Sequence, residues 1–229
     1  MKGIIFVGGI QYSGKSSFCK KLESVDKKFR HIAMDDAYWH LGYNREVFLN
    51  IIKKDNRDLF KKIMKLGKKC NVEGKENIMT LFANYMIHED RYSEFQTLHK
   101  RCALLYTGSR ISNLDDVVPL MDGLMINHIS RKFTYCALKD SLNYKIDLDK
   151  LKKLIVFFDI GLEKSLLRYK SNTRQNNPHI EINEKIITET YHSQSLPSKD
   201  EFPNLDVLVI NNEADIHSSI KYVLDSNFS

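Results

Sequence analysis

Cysteine is scarce in this chain: there are four in 229 residues, Cys19, Cys70, Cys102 and Cys136. They form no C-x-x-C pair and show no spacing typical of a disulfide framework or a zinc knuckle, which fits a reducing, cytoplasmic setting. The eight histidines form no i, i+4 pair on a convincing helix, so the sequence gives a structural transition-metal site little support. Long apolar runs are missing too. None approaches the roughly eighteen residues that a membrane span requires. The apolar start, Met1 to Gly9, is too short for a signal-peptide core and is expected to be a strand. Internal repeats and low-complexity tracts are also absent.

What remains is an ordinary globular composition, 42% hydrophobic and 28% charged, long enough for one α/β domain with a sizeable core. The net charge of +6 attracts phosphate-rich partners in principle. Lys, Asn and Ile are all abundant, however, so a general composition bias explains the charge equally well. Five short apolar segments are expected to be strands: Gly3 to Val7, Arg30 to Met34, Val117 to Met121, Leu154 to Phe158 and Asp206 to Ile210. Continuous apolar runs, separated by helical patterns, suit strands covered on both faces, hence a doubly wound parallel sheet. The second and third segments lie far further apart than one crossover helix needs. Phe48, Ile51 and Ile52, then Leu59, Phe60, Ile63 and Met64, then Ile78, Met79, Phe82, Tyr85 and Met86 recur at helical intervals there. This predicts a helical insertion over about 43–112, serving as scaffold or as the wall that recognises a second substrate.

Residues Gly9-Ile10-Gln11-Tyr12-Ser13-Gly14-Lys15-Ser16 match G-x-x-x-x-G-K-[ST] at every fixed position, after an expected strand and at the start of an expected helix. In that setting backbone N–H groups and the positive end of the helix dipole converge on a polyphosphate. Gly9 and Gly14 permit the backbone angles of the cradle, Lys15 reaches the β- and γ-phosphates, Ser16 ligates Mg²⁺ and Ser17 completes the first helical turn. Tyr12 and Gln11 are bulky for such a loop, and their side chains are expected to point outwards. An N-K-x-D guanine-reading segment is absent, as is a transporter-type ATPase signature, so ATP is favoured over GTP.

Acidic residues follow two of the strands. Asp35 and Asp36 lie after the second, at the edge that faces the ligand crevice in open parallel sheets. Asp35 suits a general base that accepts the proton of an attacking hydroxyl, and Asp36 suits acceptor binding, although an Asp pair could also cap the next helix. Asp122 ends the third strand and is placed to act on Mg²⁺ or to hold the acceptor. Beyond the fourth strand, a helix with Arg168, Lys170 and Arg174 leads into Gln175-Asn176-Asn177-Pro178, a lid pattern over about 168–195. A lid arginine stabilises charge on a transferred phosphoryl group, with Arg174 the first choice and Arg168 the second. Asn211 and Asn212, after the fifth strand, are placed to flank an adenine.

This order of parts resembles the P-loop kinase group that includes polynucleotide 5′-hydroxyl kinases and zeta-toxin-like kinases. The matching elements are Gly9 to Ser16, Asp35-Asp36, Asp122, Leu166-Leu167-Arg168 to Arg174, and Ser195 to Glu201. The resemblance implies a sheet of order 2-3-1-4-5, an acceptor-activating role for Asp35 and phosphate contact by Arg174 beside Arg168. It departs at Tyr38 and Trp39, where polynucleotide kinases usually place an arginine for the acceptor phosphate. Arg131 or Arg45 is the expected substitute, and Tyr38, Trp39 and Tyr43 could stack on a base.

Together these features predict an ATP- and Mg²⁺-dependent phosphotransferase acting on a hydroxyl, with a polynucleotide 5′-hydroxyl as the first acceptor considered. A nucleoside, nucleotide sugar or small metabolite is the alternative. A nucleic-acid-binding ATPase switch is the competing class.

Overall fold

A computed structural model describes residues 3–35, 45–69, 92–111, 116–123, 125–142, 146–171, 183–212, 214–226 and 228. The strands are β1 (Gly3–Gly9), β2 (Phe29–Ala33), β3 (Val118–Asp122), β4 (Lys152–Phe158) and β5 (Leu205–Ile210). They form one parallel sheet in the order β2-β3-β1-β4-β5. All five expected strands are present, with ends displaced by one or two residues. The continuous apolar runs within the strands are explained by two cores. Ile4, Phe6, Ile155 and Phe157 face one side, and Ile5, Val7, Leu154 and Val156 face the other, as the twofold period of a strand requires.

The second side is covered by α1 (Lys15–Val25) and the last helix, α8 (Asp215–Asp225). Phe18, Cys19 and Leu22 of α1 and Ile220 and Val223 of α8 fill the space against β1, β3 and β4. On the first side the cover comes largely from the insertion between β2 and β3, whose described helices are α2 (Arg45–Asp55), α3 (Arg57–Lys69) and α4 (Tyr92–Ile111). Ile52, Leu59, Cys102 and Leu104 belong to the same core cluster as Ile4 and Phe6. The insertion therefore closes one face of the sheet together with Tyr135, Leu138 and Leu142 of the helix that follows β3. The expected periodic residues from 78 to 86 lie outside the described residues.

Helix α5 (His128–Leu142) follows β3 and runs alongside α4. After β4 come α6 (Leu162–Ser171) and α7 (Glu184–His192), packed against each other, and a short 3-10 turn (Lys199–Glu201) leads into β5. No described helix is long and apolar enough to cross a membrane. The topology brings the carboxyl ends of β2, β3, β1 and β4 side by side. Lys15, Ser16, Asp35 and Asp122 lie along that edge, and Arg168 rests against the loop after β1.

Candidate active site at the carboxyl edge of the sheet

The loop after β1 is built on two glycines. Gly9 has φ 129, and a Cβ there would lie 2.6 Å from the carbonyl oxygen of Phe158 on the neighbouring strand. Gly14 has φ 104 and occupies the N-cap of α1 without a side-chain cap, so the loop itself leaves the first-turn amides uncapped by any side chain. Between them Tyr12 adopts φ 58, an uncommon conformation for a side-chain-bearing residue. Two contacts hold it. Its ring packs edge-to-face on Tyr169 of α6 with centroids 5.4 Å apart, and its carbonyl accepts a hydrogen bond from Arg168 Nη1 at 2.9 Å. The bulky residue in the loop is thus an anchor for α6. Gln11 is half-buried, and its Oε1 finds no donor among the described residues. Ile10 and Ser13 are buried, whereas Ser16 and Ser17 are exposed at the helix start.

Lys15 is buried, and its Nζ donates to the carbonyl of Ile10 at 2.6 Å and to Ser13 Oγ at 3.4 Å. Burial lowers its pKa, while the charges of Asp122 and Asp35 pull it back up. The ammonium is therefore held inside the loop, within reach of the charges of Asp122, at the end of β3, and of Asp35, two residues beyond β2.

Asp122 is the centre of the arrangement. It stands beside Val7 of β1 and Ala33 of β2 in the sheet register. Ser16 Oγ donates to its Oδ2 at 2.5 Å, and His31 Nε2 lies 3.3 Å from the same oxygen. Burial alone would raise the carboxyl's pKa. The bond to His31, the charge of Lys15 and the Ser16 hydroxyl outweigh it and place Asp122 below its ordinary value. The carboxylate and the Ser16 hydroxyl form an oxygen pair suited to Mg²⁺, which prefers hard oxygen ligands and retains water. Lys15, the uncapped helix start and a loop that tolerates no Cβ at Gly9 fit a nucleotide's phosphates beside it.

Asp35 is exposed two residues beyond β2, on the same edge as Asp122. Asp36, Tyr38, Trp39 and Tyr43 lie outside the described residues, as does Arg174. Arg168 is described, and its guanidinium rests on the phosphate loop, with Nη1 3.3 Å from where a Gly14 Cβ would be. At the end of β4, Asp159 accepts a hydrogen bond from Gln194 at 3.0 Å, which ties the segment after α7 to the sheet edge. Asn212 Oδ1 accepts from the amide of Asp215, the first residue of α8, at 3.2 Å.

Arg131 does not take the acceptor-binding place expected for it. It is 1% exposed, with Nε and Nη2 donating to Glu201 at 2.7 and 2.5 Å and Nη1 donating to the Ser195 carbonyl at 2.7 Å. Its side chain braces α5 to the chain that returns from α7 to β5. The sequence alone does not single out His31 or Cys19. His31 lies two residues before Ala33 on the twofold period of β2, a signal that places it near the edge, but its pairing with Asp122 depends on β2 lying beside β3.

No protein-family model matches the chain, and no curated protein does. Solved structures do match. TT1252 from Thermus thermophilus is 14% identical, with 99% of each chain covered and a TM-score of 0.53. A sugar kinase from Janibacter sp. HTCC2649, in an unliganded structure, is 10% identical, with 99% of this chain and 96% of that chain covered and a TM-score of 0.51. At such identities the likeness is one of fold, and it extends nearly end to end.

Proposed function

We propose that this chain is an ATP- and Mg²⁺-dependent kinase that transfers the γ-phosphoryl group to a hydroxyl of a small, soluble acceptor. The observation that carries the reading is the convergence of Lys15, Ser16 and Asp122 at a loop that admits no side chain at Gly9, with Asp35 just beyond the end of β2. Lys15 and the first-turn amides would bind and orient the phosphates. Bound Mg²⁺, held through Ser16 and Asp122, would supply charge neutralisation on the phosphate oxygens. Asp35 would accept the hydroxyl proton as the new O–P bond forms and the bond to the departing ADP oxygen breaks. Arg168, already seated on the loop, would place positive charge near the transferred group, and Arg174 would join it from the segment that follows α6.

A small acceptor is favoured over a polynucleotide for two reasons. Of the two arginines expected to substitute for an acceptor-phosphate ligand, Arg131 is committed to Glu201. The sugar kinase of like fold acts on a polyhydroxyl compound, a substrate class that suits a single carboxylate base without a second phosphate site.

The test is transfer of γ-labelled phosphate from ATP to a panel of sugars, nucleosides and a 5′-hydroxyl oligonucleotide. Label on a small acceptor, lost in Lys15→Ala and in Asp35→Asn, is expected. Label on the oligonucleotide alone would replace the acceptor. Free phosphate with no labelled acceptor, lost only in Lys15→Ala, would point to an ATPase switch and overturn the kinase reading.

A further inference from the structure

Three elements bring donors of mixed softness together beneath the phosphate loop. Cys19 Sγ comes from α1, a His31 ring nitrogen from β2 and an Asp122 oxygen from the end of β3, and all three lie within 4.8 Å of one another. Cys19 is 0% and Asp122 6% exposed, and the His31 side chain is 10% exposed. Three donors around one zinc ion, at bond lengths of about 2.0–2.3 Å, stand about 3.5 Å apart. His31 Nε2 and Asp122 Oδ2 already meet that spacing at 3.3 Å. The remaining closure is about an ångström, within the reach of side-chain rotation. A thiolate adds nothing to the affinity for Mg²⁺, which is bound by oxygen, but it selects zinc and other borderline or soft ions.

We propose that Cys19, His31 and Asp122 form a second, soft-metal site for Zn²⁺ or Cd²⁺, and that it shares Asp122 with the Mg²⁺ position. On binding, the metal forms bonds to sulfur, nitrogen and oxygen. The Cys19 thiol proton leaves to solvent, so the site gains one unit of charge, and no electron transfer is involved. A water completes the coordination. The regulatory consequence rests on the kinase reading: an Asp122 oxygen engaged by zinc is withdrawn from Ser16 and from Mg²⁺. Zn²⁺ then inhibits phosphoryl transfer, and a chelator restores it.

The site is tested without nucleotide or acceptor by titrating the full chain with Co²⁺ and recording its near-ultraviolet and visible spectrum. One equivalent is expected to give a thiolate-to-cobalt charge-transfer band that Zn²⁺ bleaches, that Cys19→Ser abolishes and that Cys136→Ser retains. His31→Gln is expected to keep the band but to need at least an order of magnitude more Co²⁺ for it, a result that stands even if Cys19→Ser folds poorly. Absence of the band in the wild type, its persistence in Cys19→Ser, or an unchanged titration in His31→Gln would overturn the proposal. In transfer assays Cys19→Ser is expected to keep basal activity and to raise the half-inhibitory Zn²⁺ concentration by an order of magnitude. Because the cobalt spectrum needs no substrate, failure of the kinase reading and failure of the metal site are separately visible.

Discussion

At the sheet edge Ser16, His31 and Lys15 all act on one buried carboxylate, that of Asp122. Removing its charge while keeping its shape isolates that role. Asp122→Asn is expected to raise the Mg²⁺ concentration for half-maximal transfer by about 10–100-fold, the usual cost of disturbing a metal's supporting groups. Metal-free nucleotide binding through Lys15 and the helix start should change far less, as measured by calorimetry with and without Mg²⁺. Gly9 makes a different prediction. Its φ of 129, and the Phe158 carbonyl oxygen only 2.6 Å from the position a Cβ would take, leave no room for a methyl group. Gly9→Ala is expected to cost about 2 kcal/mol in denaturant unfolding, from backbone strain and the enforced shift of β4 against β1.

Between elements, the Arg131–Glu201 pair joins α5 to the chain entering β5. Glu201 is nearly enclosed, accepts two hydrogen bonds from the guanidinium and one from the Ser198 amide, and lies 3.7 Å from His128. Burial would raise its pKa, yet the Arg131 bond and charge outweigh burial and hold it below its ordinary value. A depressed folded-state pKa means stability that is present above the unfolded value, about 4.3, and lost as pH falls through the folded one. Glu201→Gln should therefore be less stable by about 2–3 kcal/mol at neutral pH and should show a shallower loss between roughly pH 5 and 3. Unfolding curves at a series of pH values check both. This pair also marks the limit of what the chain disclosed before folding. The strands and the phosphate loop were legible because they depend on local pattern: short apolar runs, two glycines and a lysine at fixed spacing. The strand order entered through the resemblance to P-loop kinases. Arg131 read as an available cation because its partner lies 70 residues further on. The thiol and imidazole beside Asp122 stayed hidden for the same reason, since α1, β2 and β3 meet only once β3 is inserted between β2 and β1.

For the molecule as a whole, under the proposed function, the site's position at the junction of four strand ends couples nucleotide binding to global stability. Lys15, Ser16 and Asp122 belong to α1 and β3, which pack directly on β1, so a ligand that bridges them binds the folded chain alone. Linkage then sets the size of the effect, about 2.7 kcal/mol when free ligand exceeds its dissociation constant a hundredfold. Three unfolding measurements separate the contributions: no ligand, ATP with a chelator, and ATP with Mg²⁺. The wild type is expected to gain stability in two steps. Lys15→Ala should lose both steps because the phosphates are no longer held, and Asp122→Asn should keep the first and lose most of the second. The net charge of +6 gives the same assay a control, since binding that depends on overall charge weakens steeply as salt rises. A nucleotide shift that persists at raised salt, and vanishes in Lys15→Ala, locates the effect in the loop; a shift that fades with salt and ignores Lys15 would assign it to the basic surface and remove the loop from the explanation.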